Sequence, residues 1–193
     1  MTVQKDERFR SALVFAMNAH AGMIRKHRDI PYILHPMEVA SIAATMTEDR
    51  DVLIAALLHD TIEDAGIRPE EIADLYGERV AHFVLLETEE KYDDLPPSVT
   101  WKKRKTESIS LLESTSEPEV KMLWIADKLS NVRSFYHDFL KVGSRLWEYF
   151  DEKDPKEQEW YYRTVLGLTS ELKETEAWKE LNDLVDRIFE AES

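Results

Sequence analysis

The 193-residue chain carries 39 acidic against 25 basic residues, a net charge of −14, with 43% hydrophobic residues, 33% charged residues and no cysteine. A length near the usual domain size of about 150 residues, with this balance of apolar and charged residues, describes one soluble globular domain and excludes a disordered chain. The lack of cysteine excludes disulfide scaffolds, thiolate zinc sites and cysteine nucleophiles, and the acidic surface excludes a nucleic-acid polymer as partner unless basic residues gather in one place.

Taken in chain order, the apolar positions keep returning at helical spacing. Phe9, Leu13, Ala16 and Met17 mark one stripe. The apolar run of residues 12–17 is too short to span a bilayer or serve as a signal core, and no later run reaches about 18 apolar residues, so a cytoplasmic protein with no membrane partner is expected. Arg25, Lys26 and Arg28 form a first basic group, and Pro36 suits the first turn of a second helix. Residues 51–62 are apolar nearly all round through Val52, Leu53, Ile54, Ala55, Ala56, Leu57 and Leu58, which predicts a buried central helix. Pro69 opens a short helix over 70–75, while Pro96 with Pro97 and residues 114–118 read as loops. Between those loops Lys102, Lys103, Arg104 and Lys105 run without an acid, fitting either a solvated helix face or a small anion-binding spot. A second buried helix is predicted over 120–132, and an amphipathic terminal helix runs from Leu172 through Leu181, Leu184, Val185 and Ile188. With five glycines and almost no strict apolar/polar alternation, strands have little support. The fold class is all-α, a bundle packed around two buried central helices.

Both central helices carry polar groups where the core should be. His59 and Asp60 close the first apolar run, with Glu63 and Asp64 one turn further on. Asp127 closes the second, with Asn131 one turn later on the same face. A buried carboxylate needs a positive partner. Each group also has a plain structural role open to it: His59 as a hydrogen-bonded core histidine, Asp127 as a cap or as the partner of Lys128 or Arg133. Two buried helices each carrying an acid favour a shared cation over separate local roles. His35, between Leu34 and Pro36 at a helix start, supplies a further imidazole. His35, His59, Asp60 and Asp127 make a mixed nitrogen and oxygen set, and without sulfur that set favours Mn²⁺, Fe²⁺ or Mg²⁺.

His35, then His59-Asp60, then Asp127 resembles the signature of HD-domain metal phosphohydrolases. Three stretches extend the likeness: A-H-A-G-M-I-R-K-H-R-D-I-P-Y-I-L-H-P over 19–36, A-A-L-L-H-D-T-I-E-D over 55–64, and I-A-D-K-L-S-N-V-R over 125–133. Together they resemble the hydrolase domain of RelA/SpoT-type (p)ppGpp enzymes and its small stand-alone relatives, with no synthetase or regulatory region attached. The resemblance implies a helical HD-domain bundle: a single domain over 1–193, its motif-bearing core at about 8–135 and a C-terminal helical segment at about 140–193. It implies that His35, His59, Asp60 and Asp127 hold one Mn²⁺, that Glu63 and Asp64 are the catalytic pair acting on the attacking water, that Arg25 and Lys26 lie beside the nucleotide, and that Lys128, Asn131 and Arg133 face the substrate. The reaction implied removes pyrophosphate from the 3′ position of (p)ppGpp and leaves GDP or GTP.

The chain departs from the family pattern in three places, one of them the run at 102–105, which matches a basic helix of the family only loosely. Residues 86–91 are more acidic than the usual loop, and residues 146–150 and 159–163 resemble small HD hydrolases of unassigned substrate. The aromatic residues there fit core packing or a dimer interface, and Tyr161 and Arg163 are candidates to close over a nucleotide. Two alternatives therefore stand beside the first reading: the same chemistry on another phosphorylated nucleotide or dinucleotide, and a non-catalytic nucleotide-binding module. Degenerate modules lose a ligand or the acidic pair, and this chain keeps both.

Overall fold

The computed structural model describes residues 3–26, 28–92 and 94–190, with side chains described from residue 7 onward. His27 of the first motif and the two chain ends of the expected 1–193 domain lie outside the described residues. The described chain forms α1 (Val3–Ala19), α2 (Leu34–Ala43), α3 (Arg50–Leu58), α4 (Thr61–Ala65), α5 (Pro69–Tyr76), α6 (Glu78–Leu85), α7 (Pro97–Ser114), α8 (Pro118–Val142), α9 (Pro155–Leu168) and α10 (Glu176–Phe189), with 3₁₀ turns at Gly143–Tyr149 and Ser170–Leu172. No strand occurs among the described residues; Ile24 and Pro31 make one isolated antiparallel bridge. The all-helical class read from the sequence is the observed one. None of these helices is long and apolar enough to cross a membrane.

Local chemistry sets the helix ends. The Asp49 carboxylate caps α3 by accepting from the Asp51 backbone N–H at 2.9 Å, and Pro69, Pro97, Pro118 and Pro155 sit in the first turns of their helices, where a missing N–H is harmless. Pro97 therefore opens α7 instead of belonging to a loop. Gly66 ends α4 at φ 66°, a left-handed conformation that suits glycine. Thr175 accepts from Trp178 N–H at 3.3 Å and starts α10 at Glu176, so Leu172, expected inside that helix, lies in the preceding 3₁₀ turn.

α3 and α8 are the two central helices. Every residue of α3 from Val52 to Leu58 is buried, and α3 packs on α1, α2, α6 and α8. α8 runs for 25 residues, well past the predicted 120–132, because its C-terminal half carries Phe135, Tyr136 and Phe139 onto the core. α2 and α10 both lie against α8. α6 was not foreseen; it buries Val80, Ala81, Phe83 and Val84 on α3. Met17, placed on the first stripe by its spacing, is exposed, and Ala12 and Ala16 do the burying on α1.

The predicted helix over 51–62 is broken near its C-terminal end. α3 stops at Leu58 and α4 begins at Thr61, with Asp60 between them at φ −92°, ψ −2°. Thr61 Oγ1 donates to the Leu58 carbonyl at 2.6 Å, and Asp64 N–H donates to the Asp60 carbonyl at 2.8 Å, so the backbone stays satisfied through the turn. In an unbroken helix adjacent side chains diverge by about 100°. The break at His59-Asp60 lets both reach one point.

Candidate metal centre

Four side chains from three places in the bundle meet there. His35 comes from the first turn of α2, His59 and Asp60 from the turn between α3 and α4, and Asp127 from the middle of α8. His35 Nε2 lies 3.0 Å from Asp127 Oδ1 and 3.5 Å from Asp60 Oδ2, while His59 Nε2 lies 3.0 Å from Asp60 Oδ2 and 3.6 Å from Asp127 Oδ1. Ligand atoms of His35, His59 and Asp127 all fall within 4.8 Å of one another, and these three residues are buried.

Hydrogen bonds behind the rings decide which nitrogen faces the cluster. His59 Nδ1 donates to the Ala56 carbonyl at 2.9 Å, since a carbonyl only accepts. His35 Nδ1 lies 2.8 Å from Ser130 Oγ, and that hydroxyl donates onward to Glu38 Oε2 at 2.7 Å. Ser130 thus accepts from His35, so both rings donate through Nδ1 and turn Nε2 toward the cluster, the face by which an imidazole binds a metal once that nitrogen is unprotonated. His59 Nε2 is buried and has no well-aligned hydrogen-bond partner, despite the carboxylate beside it. An orphaned ring nitrogen, a second imidazole and two carboxylates fit a hard or borderline divalent cation.

The electrostatics point the same way. Burial opposes charge on both rings; at His35 burial prevails and holds the ring below its ordinary value. At His59 burial is overridden by Asp60 and Asp127, which hold the ring well above its ordinary value. Burial also opposes charge on Asp60 and Asp127, yet His59 beside the one and Lys128 beside the other keep both below the usual carboxylate range. The pocket is built for positive charge.

Above this cluster opens a cleft of about 330 Å³. Glu63 and Asp64 of α4 line it, as do Arg25, Lys26, Lys128 and Asn131. Arg25 Nη2 donates to Asn131 Oδ1 at 2.9 Å, and Asn131 Nδ2 donates to Asp127 Oδ1 at 2.8 Å, tying a basic wall residue to the cluster. Lys26 is an exposed rim residue, 3.9 Å from Asp151. Lys128, expected to face the substrate, lines the cleft and is at the same time the buried counter-ion of Asp127: its Nζ donates to Asp127 Oδ2 at 2.5 Å and to Glu87 Oε1 at 3.2 Å. Arg133 does not line the cleft. Its guanidinium forks onto Glu180 at 2.7 and 2.6 Å and reaches Glu38 at 3.1 Å, so its charge is directed to α10 and α2.

Burial, followed by repulsion from Asp60, Glu89 and Asp64, pushes Glu63 up to about 7. Lys91 holds the α4 pair from outside, donating to the Glu63 carbonyl at 2.5 Å and to Asp64 Oδ1 at 3.2 Å.

Sequence reasoning left the basic run at 102–105 undecided, and the structure divides it. Arg104 and Lys105 turn into the cleft and both bond Glu89, at 2.7 and 2.5 Å. Lys103 is exposed, 3.9 Å over the Tyr92 ring, and Lys102 pairs with Glu157 over Trp160. The acidic loop after α6 thus supplies Glu89 as the counter-charge of Arg104 and Lys105 and Glu87 as a hydrogen-bond acceptor for Lys128; pairs so distant along the chain leave no local signal. The aromatic segment is core and cleft wall together. Trp147 stacks on Phe189 at 5.2 Å, while Tyr161 and Tyr162 are buried and line the cleft. Arg163 points to α10, paired with Asp186.

Comparison with known proteins bears on this fold and site. Residues 12–145 match the family described as HD domain. The guanosine-3′,5′-bis(diphosphate) 3′-pyrophosphohydrolase of Aquifex aeolicus is 34% identical over 155 residues, covering 79% of this chain and 20% of that protein. A GTP pyrophosphokinase of Myxococcus xanthus is 31% identical over 130 residues, covering 66% of this chain and 17% of that protein. The chain thus spans about a fifth or less of the length of these relatives. Among solved structures, lmo0812 from Listeria monocytogenes EGD-e superposes with a TM-score of 0.70 at 29% identity, covering 81% of this chain and 99% of that one. A metazoan ortholog of SpoT, described as hydrolysing ppGpp, superposes with a TM-score of 0.71 at 25% identity, covering 96% of each chain. With more than half of its length matched and a helical fold shared with these structures, the chain belongs to the HD domain family.

Proposed function

We propose that this chain is a metal-dependent phosphohydrolase that removes pyrophosphate from the 3′ position of (p)ppGpp, giving GDP or GTP. The observation that carries the reading is the convergence of His35, His59, Asp60 and Asp127 at the floor of a cleft with basic side chains on its walls, in a chain of net charge −14. The Aquifex aeolicus relative named for this reaction, and the ppGpp-hydrolysing structural neighbour, support the choice of substrate.

His35, His59, Asp60 and Asp127 hold the cation in this reading, with Mn²⁺ preferred over Fe²⁺ or Mg²⁺. When bound, the cation supplies Lewis acidity, lowering the pKa of water and offsetting charge on phosphoryl oxygens. Glu63 takes the proton of the attacking water, for which a value near neutrality suits it. Asp64, on the same turn and tied to Lys91, orients that region. Arg25, Lys26, Arg104 and Lys105, all lining the cleft, neutralise the polyphosphate. Asn131 holds Arg25 in register with the cluster. The hydrophobic core running from Ala12 to Phe189 supports treating the chain as one domain, and a soluble nucleotide substrate goes with a cytoplasmic setting.

A second reading, the same chemistry on another phosphorylated nucleotide, rests on Tyr161 and Tyr162, which come from the divergent segment and form part of the cleft wall. A panel of phosphorylated nucleotides incubated with the Mn²⁺-loaded chain separates the two. Pyrophosphate released from ppGpp in preference to every other substrate supports the first, and orthophosphate released from a nucleoside monophosphate supports the second.

A further inference from the structure

His35 is held by a chain of contacts that begins on another helix. Its Nδ1 meets Ser130 Oγ on α8, and that hydroxyl donates to Glu38 Oε2, one turn further along α2 from His35. The other oxygen of Glu38 accepts from Arg133 Nη1, and Arg133 is forked onto Glu180 of α10, beyond the residues that match the HD domain family.

A serine hydroxyl has one proton, and it can point either way. Beside a neutral acceptor it is free to donate to His35 Nδ1, which would place the ring proton on Nε2, facing Asp127 and unable to ligate. A carboxylate on its far side opposes that choice: the hydroxyl proton goes to Glu38 and the oxygen accepts from Nδ1–H, which outweighs the pull of Asp127 Oδ1, 3.0 Å from Nε2, on the ring proton and leaves Nε2 its lone pair. The ion pair holding Glu38 is partly exposed, 37% at Arg133 and 39% at Glu38, so it adds little to folding stability. Its consequence lies in direction, not in energy.

We propose that Glu38, acting through Ser130, is the positioning residue that fixes the ring tautomer of His35 and so readies Nε2 for the cation, with Arg133 holding Glu38 in place. This rests on the reading of His35 as a metal ligand.

The test uses the full chain and two readouts. The first is the ring ¹⁵N shifts of His35 in the metal-free protein, and the second is Mn²⁺ affinity by competition with a chelator; wild type is compared with Glu38→Gln and Ser130→Ala. The expected wild-type ring carries its proton on Nδ1. Both variants shift the population toward the Nε2-protonated form and lower Mn²⁺ affinity about 10- to 100-fold, the usual effect of removing such a partner. Half-exposed Glu38 tolerates the isosteric change, so its urea midpoint stays at the wild-type value, which separates positioning from scaffolding. Unchanged tautomer and unchanged affinity in both variants overturn the relay. Failure of the wild-type chain to bind Mn²⁺ overturns the ligand reading itself, and the role of Glu38 in metal binding with it.

Discussion

Tyr32 Oη donates to Asp60 Oδ2 at 2.6 Å, and that same carboxylate oxygen lies 3.0 Å from His59 Nε2. The phenol therefore aims a carboxylate at the cluster. Burial, reinforced by the Asp60 and Asp64 charges, pushes the Tyr32 hydroxyl far above its ordinary value, so it remains a donor at every pH of interest. Tyr32→Phe removes one hydroxyl and no packing surface. The expected result is a fall of about 10- to 100-fold in metal affinity or turnover with helicity unchanged, read by metal titration alongside circular dichroism.

Under the proposed function, Glu63 sets the pH dependence. With a value near 7 it is largely protonated below neutrality and ionised above, so turnover rises with pH and levels off as the base loses its proton. A cation in the cluster favours the ionised form and moves the limb to lower pH. Glu63→Gln should cost about 10²- to 10⁴-fold in kcat and abolish the limb. A variant with the wild-type rate, or one that keeps the limb, removes Glu63 from the role.

The reach of Arg104 and Lys105 into the cleft was not legible from a four-residue basic run. Three-dimensional placement decides it: these two face Glu89 and the cleft, and Lys103 faces Tyr92 outside. Arg104→Gln and Lys105→Gln should each raise KM about tenfold, roughly the worth of one charge-assisted hydrogen bond, with kcat little changed. Lys103→Gln should leave both constants alone. Steady-state kinetics on the three variants checks the division.

Lys128 answers for two buried acids, Asp127 and Glu87. Lys128→Met leaves the buried Asp127 carboxylate without its cation and Glu87 without its hydrogen-bond donor, and a loss of about 3–5 kcal/mol is expected from urea unfolding. Replacing Glu87 with Leu in the same chain should recover part of that loss. Glu87 also has a signature of its own. Burial outweighs Lys128 and holds it above the usual carboxylate range, so the folded state keeps a proton that the unfolded chain releases. That stability is complete below the ordinary carboxylate value and is lost as pH rises through the raised one. Glu87→Gln should flatten that decline.

The sequence disclosed the parts of the site that are expensive to misplace. An acid ending each of two apolar runs demands compensation, so Asp60 and Asp127 stood out, with His59 and His35 beside them. The turn that aims His59 and Asp60 together was hidden, because 51–62 is apolar enough for an unbroken helix and the break depends on one Thr61 hydroxyl reaching Leu58. Arg133 was placed toward the substrate only because the family resemblance of its motif implies it; its partners Glu38 and Glu180 lie 95 and 47 residues away, beyond any local pattern. α6 was missed although its apolar spacing was present, for its stripe makes sense only once α3 offers a surface.

The most direct measurement incubates the chain with Mn²⁺ and ppGpp and separates products by ion-exchange chromatography, beside an Asp60→Ala variant and a chelator control. GDP and pyrophosphate in equal amounts, absent with the variant and with chelator, is the predicted result. Intact ppGpp in the presence of bound Mn²⁺, or the same products from Asp60→Ala, would contradict it.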